Sequence, residues 1–157
     1  MNYRDLRDFL SELLRRGDLV HVAEPVSTHL EMTSLSDRVL RQQGPALVFD
    51  RPTTGSRSHR MPVLTNLFGT PGRVALGMGA HDVSALRDIG EVLASLKEPE
   101  PPRGLKDVGR LVQMARTLWD MKPVRRGSPP CQQQVRQGSE IDLADLPVQH
   151  CWPGDVA

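Results

Sequence analysis

Three groups of residues in this sequence carry side chains that could do chemistry: the histidines, the cysteines and two neighbouring glutamates. The histidines are His21, His29, His59, His81 and His150. None lies four residues from another histidine or from a cysteine, so the helical spacing that brings two ligands to one zinc ion is missing. We therefore expect no metal site from this chain alone. We expect His21 on the face of a strand and His59 on a surface loop.

The two cysteines, Cys131 and Cys151, could be proposed as nucleophiles. A nucleophilic cysteine needs an adjacent base and a third group that orients this base. His150 adjoins Cys151, but neighbours on an extended chain point to opposite sides. The cysteines are far apart in sequence and form no CxxC pair, which favours two reduced thiols in a cytoplasmic protein.

The glutamates Glu98 and Glu100 lie in the segment Glu98-Pro-Glu-Pro-Pro-Arg. Two carboxylates can share acid–base work when their surroundings shift one of the two pKa values. Nothing in the flanking sequence would remove water from these side chains. We therefore interpret the segment as a stiff acidic linker.

One glycine-rich segment, Gly69-Thr-Pro-Gly-Arg-Val-Ala-Leu-Gly-Met-Gly, suggests phosphate binding. It matches neither G-x-x-x-x-G-K-[ST] nor G-x-G-x-x-G. Backbone N–H groups at the start of the following helix, together with Arg73, could still bind an anion. The interpretation that we favour is turn chemistry around a short helix.

The helices that would position these residues follow from the spacing of the apolar side chains. This spacing predicts helices over residues 3–16, 29–42, 71–77, 83–97 and 105–119. Asn2 could cap the first helix, and Gly17 lies where a C-terminal glycine belongs. Leu30, Leu35, Val39 and Leu40 are the apolar candidates for the buried side of the second helix. Asp82 is the expected N-cap of the helix that begins at residue 83.

The strand signals are shorter. We expect strands at 19–23, where Pro25 would end the strand, at 46–49 and at 61–68, with a hairpin over 46–68. Residues 50–60 have the composition of a mobile surface loop. Residues 131–136 could form an edge strand, and Leu143 and Leu146 could anchor a short turn.

Together these elements predict an α/β (α+β) fold with a small mixed or antiparallel sheet flanked by helices. An extended proline-rich tail would follow at the C-terminus. We expect an N-terminal domain over residues 1–120 and an extended linker over 121–157 that leads to another domain.

Composition excludes several function classes. The 157 residues suffice for one domain, and 38% apolar with 25% charged residues is typical of a soluble globular protein. The formal net charge of +1 gives no electrostatic reason to expect nucleic acid binding. No apolar run approaches the ~20 residues that cross a bilayer, and no apolar signal core follows the N-terminus.

Several segments in order resemble the N-terminal region of the UbiD decarboxylase family. The most specific is the stretch from Met61-Pro-Val-Leu-Thr-Asn-Leu-Phe-Gly to Gly79. The others are Tyr3-Arg-Asp-Leu-Arg-Asp-Phe-Leu with Gly17-Asp-Leu, Gly44-Pro-Ala-Leu-Val-Phe, Leu96-Lys-Glu-Pro-Glu-Pro-Pro, Pro130-Cys-Gln-Gln and Cys151-Trp-Pro-Gly-Asp. The resemblance covers essentially the whole chain. It is closest to the branch that decarboxylates 4-hydroxy-3-polyprenylbenzoate in ubiquinone biosynthesis.

The resemblance implies a longer parent enzyme, in which a split β-barrel like that of flavin reductases and a C-terminal oligomerisation domain follow this region. The parent would be a homo-oligomer that uses prenylated FMN with Mn2+ and K+ on a small-molecule aromatic acid. The family's catalytic, cofactor-binding and metal-binding residues lie in the barrel and beyond. We therefore expect no catalytic, cofactor-binding or metal residue in this chain, and we expect the fragment alone to be inactive and to carry no cofactor.

Two alternatives stay open at this point. The chain could be a stand-alone, non-catalytic interaction module whose proline-rich tail and helix stripes contact a partner. It could also belong to a UbiD-type decarboxylase of another aromatic or α,β-unsaturated acid. For the ubiquinone branch we expect a cytoplasmic enzyme with loose contact to the inner membrane, because a polyprenyl substrate resides in the bilayer.

Overall fold

A computed structural model describes residues 3–80, 82–97 and 127–155, together with residues 109, 112, 115, 116, 119, 123 and 125. The chain divides into two compact units. The first comprises Met1–Ile89 with Asp142–Ala157, and the second comprises Gly90–Ile141. All four strands described below belong to the first unit.

Helix α1, Leu6–Arg16, begins where Asp5 accepts a hydrogen bond from the Asp8 N–H and ends at Gly17. The predicted cap, Asn2, lies outside the described residues, and Asp5 fills the role three positions later. Gly17 has φ +76°, as predicted for a C-terminal glycine, because this left-handed conformation lets its N–H reach a carbonyl of the last turn. Phe9 and Leu13 are the buried residues of the helix.

Helix α2, Glu31–Arg41, begins two residues later than predicted. Its buried residues are Met32 and Ser36, with Leu35 and Val39 partly buried beside them. Leu40 is 41% exposed, so its predicted place on the buried side is wrong. Leu30 precedes the helix in a left-handed conformation and is not part of the buried core.

The sheet has four strands: β1, Leu19–Ser27; β2, Ala46–Thr54; β3, Arg57–Ser58; and β4, Val63–Thr65. Strand β2 lies in the middle, parallel to β1 and antiparallel to both β3 and β4. This mixed sheet with flanking helices confirms the predicted fold class. The antiparallel pairing of β2 with β4 also confirms the predicted hairpin.

Three strands differ from the prediction in their bounds, and β4 is the one that is shorter, at Val63–Thr65 instead of 61–68. Strand β1 continues past Pro25, because the pairing register shifts between Val22 and Pro25, and a proline is tolerated at such an irregularity of an edge strand. Strand β2 continues to Thr54 and pairs with β3, so most of the predicted loop over 50–60 is strand. The turn is confined to Gly55 and Ser56, where Gly55 has φ +59°.

The core has two parts, one on each face of β2. Ala46 and Val48 pack with Phe9, Leu13 and Leu19 on the side of α1. The alternate residues Leu47 and Phe49 pack with Val26 and Met32 on the side of α2. Successive side chains of a strand point to opposite faces, so one apolar run fills both layers.

Helix α3, Pro71–Gly77, has the predicted bounds, and α4, Ala85–Lys97, begins two residues later than predicted. Asp82 accepts hydrogen bonds from the N–H groups of Ser84 and Ala85, as expected of a cap. The helix predicted over 105–119 falls largely outside the described residues. None of the helices in the described ranges is long and apolar enough to cross a membrane.

The predicted strand over 131–136 is wrong: Pro130–Gln132 forms a 3-10 turn, and no strand is found among residues 127–141. Pro129 and Pro130 lack the N–H donors that a strand ladder needs. Two more 3-10 turns follow, Gly138–Glu140 and Leu143–Asp145, and the latter confirms the turn predicted there. Leu143 and Leu146 do not anchor it in the core, because both are exposed.

Candidate functional site

Arg73, the candidate anion ligand, is buried and engaged by the protein itself. Its side chain is 3% exposed. Its Nε donates to the carbonyl of Leu67 at 3.1 Å, and its Nη2 donates to the carbonyl of Asn66 at 3.2 Å. Burial lowers the pKa of this guanidinium. The side chain therefore holds the turn before α3, and the turn interpretation of the glycine-rich segment describes its geometry.

The same turn is tied to α2 by residues that the sequence analysis did not single out. Asn66 has φ +56° and donates from Nδ2 to the carbonyl of Ser36 at 2.7 Å. The Ser36 hydroxyl lies 2.9 Å from that of Thr65. A side chain at Gly69 would place its Cβ 2.8 Å from the Arg73 Nη2, so the backbone packs directly on the guanidinium.

Apart from His29 and His150, whose contact is described below, the other sequence candidates among the described residues do not come together. His21 lies on β1, as expected, with Nδ1 2.9 Å from Asp50 Oδ1, and both side chains are part exposed. Cys131 and Cys151 are exposed free thiols. His81, Glu98 and Glu100 fall outside the described residues. Within the described ranges, no group of three or more His, Cys, Asp or Glu side chains could hold a metal ion.

His59 is the exception, because it is 6% exposed rather than on a surface loop. Its position follows from the continuation of β2: strand β3 brings it under the C-terminal segment. Its Nδ1 lies 3.3 Å from the carbonyl oxygen of Asp145, and its Nε2 lies 2.9 Å from the hydroxyl of Thr54. That hydroxyl in turn lies 2.8 Å from the hydroxyl of Thr28.

The direction of this hydrogen-bond chain follows from the acceptor at its end. A carbonyl oxygen only accepts, so a neutral His59 carries its proton on Nδ1 and donates to Asp145. Its Nε2 then accepts from Thr54, whose hydroxyl accepts from Thr28. The hydroxyls of Thr28 and Thr54 and the ring of His59 thus all have hydrogen-bond partners. This row of hydrogen bonds ends at the carbonyl of Asp145.

A second set of contacts surrounds His150. Its backbone N–H donates to the Thr28 carbonyl at 2.9 Å, and its carbonyl accepts from the Thr33 hydroxyl at 2.8 Å. Gln149 Nε2 donates to the same hydroxyl at 2.8 Å. The rings of His29 and His150 meet edge to face with centroids 5.2 Å apart. The Nδ1 of His150 is buried and has no hydrogen-bond partner in the described part of the chain.

A third set of contacts is ionic. Arg57 Nη2 lies 3.3 Å from Asp142 Oδ2 and also pairs with the carboxylate of Asp145. These side chains are 41–56% exposed, so the charges face solvent. We call the three sets together the clasp. One side of the clasp consists of Thr28, Thr33, Arg57 and His59, and the other side consists of Asp142, Asp145, Gln149 and His150.

The clasp contains donors and acceptors that are matched to one another rather than directed at an open site. The Thr33 hydroxyl, the Arg57 guanidinium and the Nδ1 of His59 contact the segment over 142–150. No described cysteine or serine of this region is paired with a base in the way a nucleophile requires. What the arrangement can do is hold one piece of the chain against another.

Two family models match the chain, one after the other. The model of the 3-octaprenyl-4-hydroxybenzoate carboxy-lyase N-terminal domain matches residues 10–93. The model of the 3-octaprenyl-4-hydroxybenzoate carboxy-lyase Rift-related domain matches residues 122–157. The first match contains one side of the clasp, and the second match contains the other.

Proposed function

Because the chain belongs to the UbiD family of carboxy-lyases, we propose that it forms the N-terminal part of a UbiD-type decarboxylase. The observation that carries this proposal is the succession of the two domain matches in the order N-terminal domain and Rift-related domain. The reaction removes CO2 from a carboxylic acid substrate. The role that the geometry supports for this chain is to hold the beginning of the second domain.

The substrate that we propose is 4-hydroxy-3-polyprenylbenzoate, in ubiquinone biosynthesis. The family description, which names a prenylated hydroxybenzoate, supports it. A UbiD-type decarboxylase of another aromatic or α,β-unsaturated acid is the alternative within the same reaction class.

Loss of CO2 leaves an electron pair on the ring carbon, and a proton must replace the carboxylate. Prenylated FMN, with Mn2+ and K+ at its phosphate, would supply the electron sink when bound. The described residues do not fit this cofactor: they include no metal-ligand cluster, and the buried Arg73 is occupied by two backbone carbonyls. We therefore assign no step of the reaction to a described residue, and we propose that the cofactor binds elsewhere in the enzyme.

The setting that we propose follows from the same chemistry. A polyprenyl substrate is dissolved in the bilayer, so the enzyme would be cytoplasmic with loose contact to the inner membrane. The parent enzyme would be a homo-oligomer that takes a small aromatic acid and no nucleic acid. The balanced charge, 20 basic against 19 acidic residues, supports the last point.

Release of radiolabelled CO2 from carboxyl-labelled 4-hydroxy-3-polyprenylbenzoate tests the proposal. The purified 157-residue chain, supplied with prenylated FMN, Mn2+ and K+, is expected to release none. If the source gene encodes a longer protein with this N-terminal region, that protein should release CO2 under the same conditions. Turnover by the 157-residue chain alone would contradict the assignment of the chemistry to other parts of the enzyme. A stop codon directly after Ala157 would favour a stand-alone interaction module instead.

A further inference from the structure

The structure and the family models divide the chain at different places. The family models assign residues 122–157 to the Rift-related domain. In the structure, the last part of this range, Asp142–Ala157, belongs to the same compact unit as Met1–Ile89. We infer that one side of the clasp is a docking surface for the beginning of the Rift-related domain. This side consists of Thr28, Thr33, Arg57 and His59, and it holds the point at which the domain begins.

The backbone contact at the centre of the clasp lies at the end of an edge strand. Strand β1 pairs with β2 along one side, and among the described residues no strand covers its other side. Just beyond its end, His29 and His150 form a parallel bridge, and the Thr28 carbonyl accepts the His150 N–H. Addition of an extended segment to an open edge is a common mode of peptide recognition, in which main-chain hydrogen bonds bind the segment.

The side chains beside this bridge determine which residues of the segment can dock. The Thr33 hydroxyl donates to the His150 carbonyl and accepts from the Gln149 side chain. A shift of the segment by one residue would direct the side chains to opposite sides and would remove both hydrogen bonds. His59 and Arg57 contact the segment again near residue 145. Two separated points of contact therefore fix both the position and the direction of the segment.

Polar contacts, rather than apolar burial, hold the segment. Large apolar side chains in the segment and just after it would be expected to be buried. Leu143, however, is 73% exposed, and Trp152 is 72% exposed. Leu146 and Val148 are about half exposed. Burial of an apolar side chain is the usual source of docking energy. Because these side chains contribute little of it, loss of the clasp hydrogen bonds and ion pairs should release the segment.

Hydrogen–deuterium exchange of the complete 157-residue chain, read by mass spectrometry, tests the ion pair between Arg57 and Asp145. Arg57→Asp and Asp145→Arg each place like charges together, and each should raise the exchange rate of the amides over 142–150 about threefold. The double variant R57D/D145R restores an opposite pair and should return the rate to within about twofold of the original chain. Faster exchange in both single variants without recovery in the double variant would overturn the pairing.

A second substitution tests the hydrogen bond between Thr33 and His150. Thr33→Val keeps the shape of the side chain and removes the hydroxyl, so exchange at His150 should rise about fivefold. Thr53→Val is the matched control, because its side chain on β2 makes no hydrogen bond to residues 142–155 in the described structure. Equal exchange in T33V, T53V and the original chain would overturn the clasp in solution. Circular dichroism of every variant checks that the sheet and helices still form.

This inference and the proposed function can fail independently. The exchange experiment needs neither substrate nor cofactor, so an absent clasp would leave the decarboxylase proposal untouched. An inactive longer enzyme would equally leave the measured docking of residues 142–150 in place. The consequence for catalysis, a correctly placed second domain, is the only part that rests on the proposed function.

Discussion

Of the five histidines in the sequence, we expect His59 to contribute most to the stability of the protein. Replacement by alanine removes a ring that is only 6% exposed, together with its hydrogen bonds to the Asp145 carbonyl and the Thr54 hydroxyl. We expect His59→Ala to lower the free energy of unfolding by about 1–3 kcal/mol, measured by urea denaturation. The matched variant His21→Ala removes a part-exposed contact to Asp50 and should change it by less than about 0.5 kcal/mol. Equal losses in both variants would contradict the buried role of His59.

Gly17 gives a second prediction at this scale, because its surroundings are open and only its backbone conformation is demanding. Its φ is +76°, and a Cβ added there would meet no atom within 4 Å. Gly17→Ala should therefore lower the free energy of unfolding by about 1 kcal/mol through backbone strain alone. Gly72 also has open space but lies inside α3, so Gly72→Ala should be neutral or slightly stabilising. The two urea unfolding curves should thus move apart.

Glu12 makes the stability of α1 depend on pH. Hydrogen bonds from Arg15 and then Arg16 hold the pKa of this carboxylate below its ordinary value of 4.5. The stabilisation is present above the pKa of the unfolded chain and is lost as the pH falls through the lower folded value. The urea midpoint of Glu12→Gln should therefore lie below that of the original chain at pH 7, and the two should converge below about pH 4.5. In ~1 M NaCl the difference at pH 7 should shrink.

At the scale of elements, the turn between β4 and α3 depends on the buried guanidinium of Arg73. Arg73→Met keeps much of the side-chain volume but removes the side-chain donor to the Leu67 carbonyl and one of the two donors to the Asn66 carbonyl, which keeps the Gly69 N–H. We expect a loss of about 1–3 kcal/mol in the free energy of unfolding. Arg41→Met removes an arginine that is 77% exposed in its ion pair with Asp37, and should change stability by less than about 0.5 kcal/mol. A similar loss in both variants would show that the guanidinium does not hold the turn.

The elements themselves were predictable wherever a local signal decided them. Helix α3 begins at Pro71 and α1 ends before Gly17, and both boundaries are as predicted. The errors occurred where tertiary contacts outweighed local chemistry. Pro25 was expected to end β1, but an irregular register accommodates it. Residues 50–60 have loop composition, yet pairing with a second strand extends β2 into them.

At the scale of the whole molecule, the family could be identified from ordered segments, whereas the clasp could not. Thr33 and His150 are separated by 117 residues, and Arg57 and Asp142 by 85. No periodicity or motif links residues so far apart, and each of them is of a type that is common on protein surfaces. His59 gave no signal either, because its burial depends on the segment that covers it. The division at residue 120 and the absence of catalytic residues stay predictions.

The last prediction concerns the open edge of the sheet when its cover is removed. Deletion of residues 142–157 leaves the Thr28 carbonyl, the Thr33 hydroxyl and the Nδ1 of His59 without their partners in that segment. The free energy of unfolding should fall by about 1–3 kcal/mol in urea denaturation. The uncovered end of β1 should also promote association between chains, because unpaired strand edges are templates for pairing. Sedimentation velocity should show oligomers that grow with concentration. Trp152→Ala removes only a 72% exposed side chain, so it should leave both the stability and the association unchanged. If the deletion also leaves both unchanged, residues 142–157 neither stabilise nor protect this edge.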